Sequence, residues 1–195
     1  MKKKLVTNIK KKSPLFISIL YKNIFQNPKL DINCEKLITI LKSLLKHEIR
    51  VLDFSHCKIG DRGATAIAKF SLEVPVEKVN LSNNKIGPKV AKSLSYALCQ
   101  ENCQITELDL HLNNIGNAGG NYLLEALGLD AKKSLNLSGC RFSENITIGR
   151  MFEFNSSLEI LDISCNNISE VLKVPKAYRM HFAKKIAKLL TGPPP

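Results

Sequence analysis

Five segments of this chain repeat one pattern: Ile49–Ile59, Val76–Ile86, Ile105–Ile115, Lys132–Phe142 and Leu158–Ile168. Apolar residues stand at the first, fourth, sixth and eleventh positions of each, with Asn or Cys at the ninth; the fourth segment opens on Lys132 instead. The central residues Leu52, Val79, Leu108, Leu135 and Leu161 are 27, 29, 27 and 26 residues apart. A period of this size is the mark of stacked units, none of which buries its apolar face alone. The 195 residues suit one domain or a short array of such units.

The pattern reads L-x-x-L-x-L-x-x-N/C-x-L, the leucine-rich-repeat signature. Its L-x-L core predicts a short strand with inward aliphatic side chains, because successive side chains of a strand alternate between faces. Cys57, Asn84, Asn113, Cys140 and Asn166 fill the Asn/Cys column, where a buried ladder of hydrogen bonds between neighbouring turns is expected. A buried polar group left unpaired there costs about 1–3 kcal/mol. Cys57 and Cys140 read as structural, since cysteine is small and tolerates burial. The second half of each unit reads as helix, with Ala64, Ile67 and Ala68, then Val90, Leu94, Ala97 and Leu98, then Tyr122, Leu123, Ala126 and Leu127, then Ile148, Met151 and Phe152 near helical spacing. Gly60, Gly87 and Gly116 allow the turn into those helices. The expected fold class is α/β, a leucine-rich-repeat solenoid (a partial horseshoe) with a parallel inner sheet and outer helices.

The chain divides into a basic tail over 1–13 expected to be disordered, a degenerate N-terminal repeat or capping helix over 14–48, the repeats over 49–170, and a basic helix with a Pro-rich end over 171–195. Leu37, Ile40, Leu41, Leu44 and Leu45 make the N-terminal cap amphipathic, and Tyr178, Phe182, Ile186, Leu189 and Leu190 do the same at the other end. That last helix either caps the final repeat or docks elsewhere.

Net charge is +12, yet the excess sits at the ends: residues 1–12 carry six lysines and no acid, residues 173–195 carry six basic residues and no acid, and the stretch between balances at 17 of each sign. A neutral body is unlike a surface built for phosphates, which argues against specific nucleic-acid binding. The tails serve either solubility as disordered segments or docking onto a membrane or an acidic polymer such as a microtubule. The most apolar short run, Leu15–Leu20, which Ser18 interrupts, is far short of the roughly 20 residues a membrane span needs. Thr7, Asn8 and Lys10–Lys12 break up a signal-peptide pattern, and the six cysteines look like a reduced, cytoplasmic set.

No constellation for chemistry emerges. Gly119-Gly120 lacks the Lys-Ser/Thr of a phosphate loop. Cys99 and Cys103, four apart on an expected helix, face no His or second Cys pair that completes a zinc site. The histidines are scattered, so no catalytic residues, metal or cofactor are expected. The strand columns are more promising. Asp53, Asn80, Asp109, Asn136 and Asp162 form one column read as facing the inner curve; Ser55, Ser82, His111, Ser138 and Ser164 form the next. Either these are repeat consensus, or Asp53, Ser55, Asn80, Ser82, Asp109, His111, Asn136 and Asp162 make a mildly acidic face for a basic or amide-rich protein partner.

Three runs carry a narrower resemblance: Leu44–His47, Leu52–His56 with Ile59–Ala64, and Leu112–Gly120. With them, residues 37–169 resemble the t-complex-associated testis-expressed family, leucine-rich-repeat subunits of the nexin–dynein regulatory complex. The resemblance implies a non-enzymatic scaffold of the axoneme in motile cilia and flagella, with axonemal subunits as protein partners and the cytoskeleton as its place. The alternative is a cytosolic leucine-rich-repeat binding module, inhibitor-like or regulating a small GTPase.

Overall fold

In the computed structural model, residues 39, 49–126, 134–144, 146 and 158–168 are described. Five three-residue strands, β1 (Val51–Asp53), β2 (Lys78–Asn80), β3 (Glu107–Asp109), β4 (Ser134–Asn136) and β5 (Ile160–Asp162), form one parallel sheet in chain order. Helices α1 (Gly60–Phe70), α2 (Pro88–Leu98) and α3 (Gly116–Ala126) follow β1, β2 and β3. The expected capping helices, the helix around Met151 and both charged tails lie outside the described residues.

The register puts Leu52, Val79, Leu108, Leu135 and Leu161 opposite one another. Each strand is short, but pairing runs on past it: the amides of Phe54 and His56 bond to the carbonyls of Asn80 and Ser82, and those of Leu110 and Leu112 to Asn136 and Ser138, all at 2.9 Å. Adjacent columns Phe54, Leu81, Leu110, Leu137 and Ile59, Ile86, Ile115, Phe142 are buried with them. In β5's unit Leu161, Ile163 and Ile168 are only half-buried, because among the described residues no further unit stacks on them.

The helices supply the other half of the core. Ala64, Ile67 and Ala68 of α1, Val90, Ala91, Leu94 and Ala97 of α2, and Leu123 and Leu124 of α3 are buried, while Tyr122 turns outward. Small residues set the helix spacing. A Cβ at Gly119 would lie 2.8 Å from the Ala91 Cβ, and one at Gly120 2.6 Å from the Phe142 ring. Gly60 and Gly116 enter their helices at positive φ, as expected; Gly87 does not, with φ −103°, and its amide is held at 2.7 Å by the Asp61 carboxylate of the preceding unit.

The Asn/Cys column stitches the units together. Asn84 accepts from the amides of Cys57 (3.0 Å) and Ile59 (3.2 Å) and donates to the carbonyls of Phe54 (2.8 Å) and Leu81 (3.0 Å). Asn113 repeats this one unit on, accepting from Asn84 (2.9 Å) and Ile86 (3.0 Å) and donating to Leu81 (2.9 Å) and Leu110 (2.8 Å). Asn166 accepts from Phe142 and donates to Leu137 and Ile163. The cysteines of the column donate their thiols to backbone, Cys140 to the preceding unit's Leu110 carbonyl and Cys57 to the Ser55 carbonyl.

Asn113→Ala strands the amides of Asn84 and Ile86 at a buried seam and removes one of two donors from each of the Leu81 and Leu110 carbonyls, and should lower stability by about 3 kcal/mol. Gly120→Ala overpacks the α3 contact with Phe142 and should cost about 1–3 kcal/mol. Urea titration followed by circular dichroism measures both; a change under 0.5 kcal/mol for Asn113→Ala refutes the account of the seam.

Candidate protein-binding face

The inner face of the sheet is built from residues flanking the buried Leu/Val column. Side chains one position before and one after a buried strand residue share the opposite face. The column after it, Asp53, Asn80, Asp109, Asn136 and Asp162, is half-buried. Each of these turns back onto its own chain: its Oδ1 accepts the amide two residues on, of Ser55, Ser82, His111, Ser138 and Ser164, at 2.9–3.0 Å. This Asx-type bond closes the strand end, and it explains the Asp/Asn regularity by local chain direction.

The next column departs from the reading as an exposed stripe. Ser55 and Ser82 are buried, 3% and 1% exposed, so neither offers its hydroxyl to a partner. The backbone pairing is the same along the column, since the carbonyls of Ser82, His111, Ser138 and Ser164 all accept from the unit before, so the burial comes from what covers the side chains. Among the described residues Ser82 Oγ has no hydrogen-bond partner. Only from His111 onward does the column open, with His111 and Ser138 half-buried and Ser164 exposed. His111 donates Nδ1–H to Asp109 at 2.8 Å, fixing its ring against the carboxylate.

One residue further, His56, Asn83, Leu112, Gly139 and Cys165 all adopt positive φ. Left-handed backbone suits Gly and Asn and costs other L-residues about 1–2 kcal/mol. His56 and Asn83 are linked, the Asn83 amide donating to His56 Nδ1 at 2.8 Å. Leu112 is the outlier: a large apolar side chain, 53% exposed, leaning over Gly139, where an added Cβ would lie 2.9 Å from Leu112 Cδ2.

The column before the buried one is part of the face and escaped the sequence reading: Val51, Lys78, Glu107, Ser134 and Ile160. Strand alternation alone pointed to it. Lys78 pairs with Glu107, and Arg50 pairs with Glu77 beside them. Ile160 is 58% exposed. The face therefore has two apolar prominences, Ile160 at the entry of β5 and Leu112 beyond the exit of β3. Asp109, Asn136 and Asp162 lie across the registered strands between those ends.

No group of three or more His, Cys, Asp or Glu among the described residues is arranged to hold a metal ion. Cys99 and Cys103 do not share a helix face, because α2 ends at Leu98; Cys99 is exposed and Cys103 buried. Burial pushes the Cys140 thiol up to about 11 from 9.0, with the Asp109 charge adding to the rise against the lowering Asn113 backbone bond. Among the described residues no helix is long and apolar enough to cross a membrane.

Two outcomes follow. In folded protein at pH 8, iodoacetamide should modify Cys99 and Cys165 while sparing Cys140, which reacts once urea exposes it; mass spectrometry reads the sites. The raised Cys140 value means the unfolded chain loses its proton first, so its contribution to stability is whole below pH 9 and falls as pH rises from 9 towards 11. Separately, Ser82→Ala removes an unpaired buried hydroxyl and should leave urea stability unchanged or raise it by up to about 1 kcal/mol.

The family model described as "Leucine Rich repeat" matches residues 47–68, 101–124 and 154–170. A curated human relative (Homo sapiens), "NACHT, LRR and PYD domains-containing protein 13", is 29% identical over 143 residues, covering 71% of this chain; the chain spans only 14% of that relative's length. Among solved structures, "Leiomodin-1 Actin-Binding Site 2 (ABS2)" superposes with a TM-score of 0.58 and 17% identity, over 80% of this chain and 89% of that one. The Caenorhabditis elegans tropomodulin C-terminal domain gives a TM-score of 0.60 and 15% identity, over 82% and 95%. At such identities these two establish likeness of fold. With the five-unit register, the asparagine seam and the family match in view, the chain has the leucine-rich-repeat fold.

Proposed function

We propose that this chain is a non-enzymatic protein-interaction scaffold whose inner sheet face holds one protein partner. The observation that carries the proposal is the exposure of Leu112 and Ile160 on a face otherwise made of half-buried polar groups locked by register. Apolar anchors within a polar surround are the usual anatomy of a protein interface. The partner it suits is rich in basic or amide groups, because Asp53, Asp109 and Asp162 lie along the curve. Solenoids present extended concave surfaces of this kind.

The assembly we assign is the axonemal nexin–dynein regulatory complex of cilia and flagella. What supports it is the run of residues from Leu44 to Ala64 and from Leu112 to Gly120. Within the second run Gly119 and Gly120 serve helix packing, which any close-packed repeat can require, whereas exposed Leu112 sits where packing does not demand it. The basic tails over 1–13 and 171–195 are proposed to add contact with the acidic microtubule surface, a screened interaction that weakens steeply as salt rises. A second reading is actin binding, favoured by the fold likeness to actin-binding site 2 of leiomodin-1.

A tagged chain expressed in ciliated cells should enter the axoneme, and Asp109→Lys with Leu112→Arg should lower its retention tenfold or more. A diffuse cytosolic signal removes the axonemal assignment, and co-sedimentation with actin filaments in place of axonemal capture selects the second reading. If the double variant binds captured axonemal partners as well as the parent does, the inner face is not the docking surface.

A further inference from the structure

A second surface lies on the helical side, away from the sheet. Between α1 and α2 runs a groove of about 370 Å³ with Ala68 and Ala97 at its base, Leu72 and Tyr96 as walls, and Lys69 and Lys92 at its margins. The two alanines make it deep, since a larger side chain at either would fill it. Both are buried, so the groove floor is part of the core surface. Tyr96 is 67% exposed, the most open of the large apolar side chains among the described residues. The Lys92 ammonium lies 5.4 Å from the centre of the Tyr122 ring on α3, a cation–π contact that holds it along the helical surface. Among the described residues no acidic side chain lines the groove.

We propose that this groove docks an acidic amphipathic peptide segment of another protein, its apolar side chains against Ala68, Leu72 and Tyr96 and its carboxylates on Lys69 and Lys92. The charge decides the occupant. Two lysines without an acid at the margins favour carboxylates, and they disfavour this chain's own Lys-rich stretch over 176–190, which would bring like charge to the same place. The dimensions fit a few side chains of a helix or strand, the scale on which apolar anchors enter grooves. A nucleic acid duplex needs a wider basic track than two lysines over an apolar floor. The proposal does not depend on the reading of the inner face, which is lined by different residues on the other side of the core.

The test is selection of a displayed random-peptide library on the full chain, with counter-selection on the Lys69→Glu/Lys92→Glu variant. The recovered peptides should be enriched in Asp and Glu around apolar anchors. Fluorescence polarisation with a labelled recovered peptide should show binding weakened at least tenfold by Tyr96→Ala and by the double charge reversal, and unchanged by Asp109→Lys. Tyr96, Lys69 and Lys92 are exposed, so these variants keep the fold, which circular dichroism checks. Recovered peptides without acidic excess overturn the proposal. So does binding indifferent to Tyr96, binding lost only with Asp109→Lys, or self-association of the chain in sedimentation that the double charge reversal abolishes.

Discussion

The first, second and fourth units each leave backbone amides at the turn that their own residues do not satisfy. The Asn84 side chain closes that gap for the unit before it, and Asn113 does the same for Asn84's unit, down to the backbone amide of Asn84 itself. Such a seam works in one direction along the chain and only in correct register, because one amide side chain must reach two amides and two carbonyls at once. Hydrophobic burial drives the stacking without regard to direction, and the asparagines convert it into one register. Where Cys140 replaces Asn, its thiol donates to the Leu110 carbonyl and takes the Asn113 amide, fewer bonds than an asparagine makes, and the buried Gly120 brings α3 against Phe142 and Ile146.

That arrangement separates two tasks that often compete. The inward columns and the Asn/Cys seam are committed to folding, and the Asp/Asn column is half committed, one oxygen bound to the local amide. What remains for recognition is the residue before each buried strand position, the positive-φ column after it, and the helical surface. Those are also the positions where side-chain chemistry varies most from unit to unit: Val51, Lys78, Glu107, Ser134 and Ile160 share one register column and no chemical type. Variation at constant geometry is what lets one scaffold carry different specificities.

The spacing of Leu52, Val79, Leu108, Leu135 and Leu161 made the sheet legible before any coordinates, because a strand of period two inside a repeat of near-constant length leaves one register. The asparagine seam was legible for the same reason. Ser55 and Ser82 were not, since identical serines at 138 and 164, with the same Asx-type bond, end up half-buried and exposed. The column of Val51 and Ile160 was available from alternation alone and was passed over because its residue types share no pattern. The groove at Tyr96 was not readable from sequence, because it exists only where Ala68 and Ala97 of separate helices come side by side.

Charge follows the same partition. The stretch between the two tails is neutral in sum, yet its inner curve carries Asp53, Asp109 and Asp162 while the groove between α1 and α2 carries Lys69 and Lys92. Charges separated by more than a Debye length, about 8 Å at physiological ionic strength, act nearly independently. The packed core between the two surfaces is about the 10 Å thickness of a sheet against its helices. On the two proposals above, each face selects its own partner by sign, and the asparagine seam, by fixing how the units stack, fixes the register in which each surface is presented.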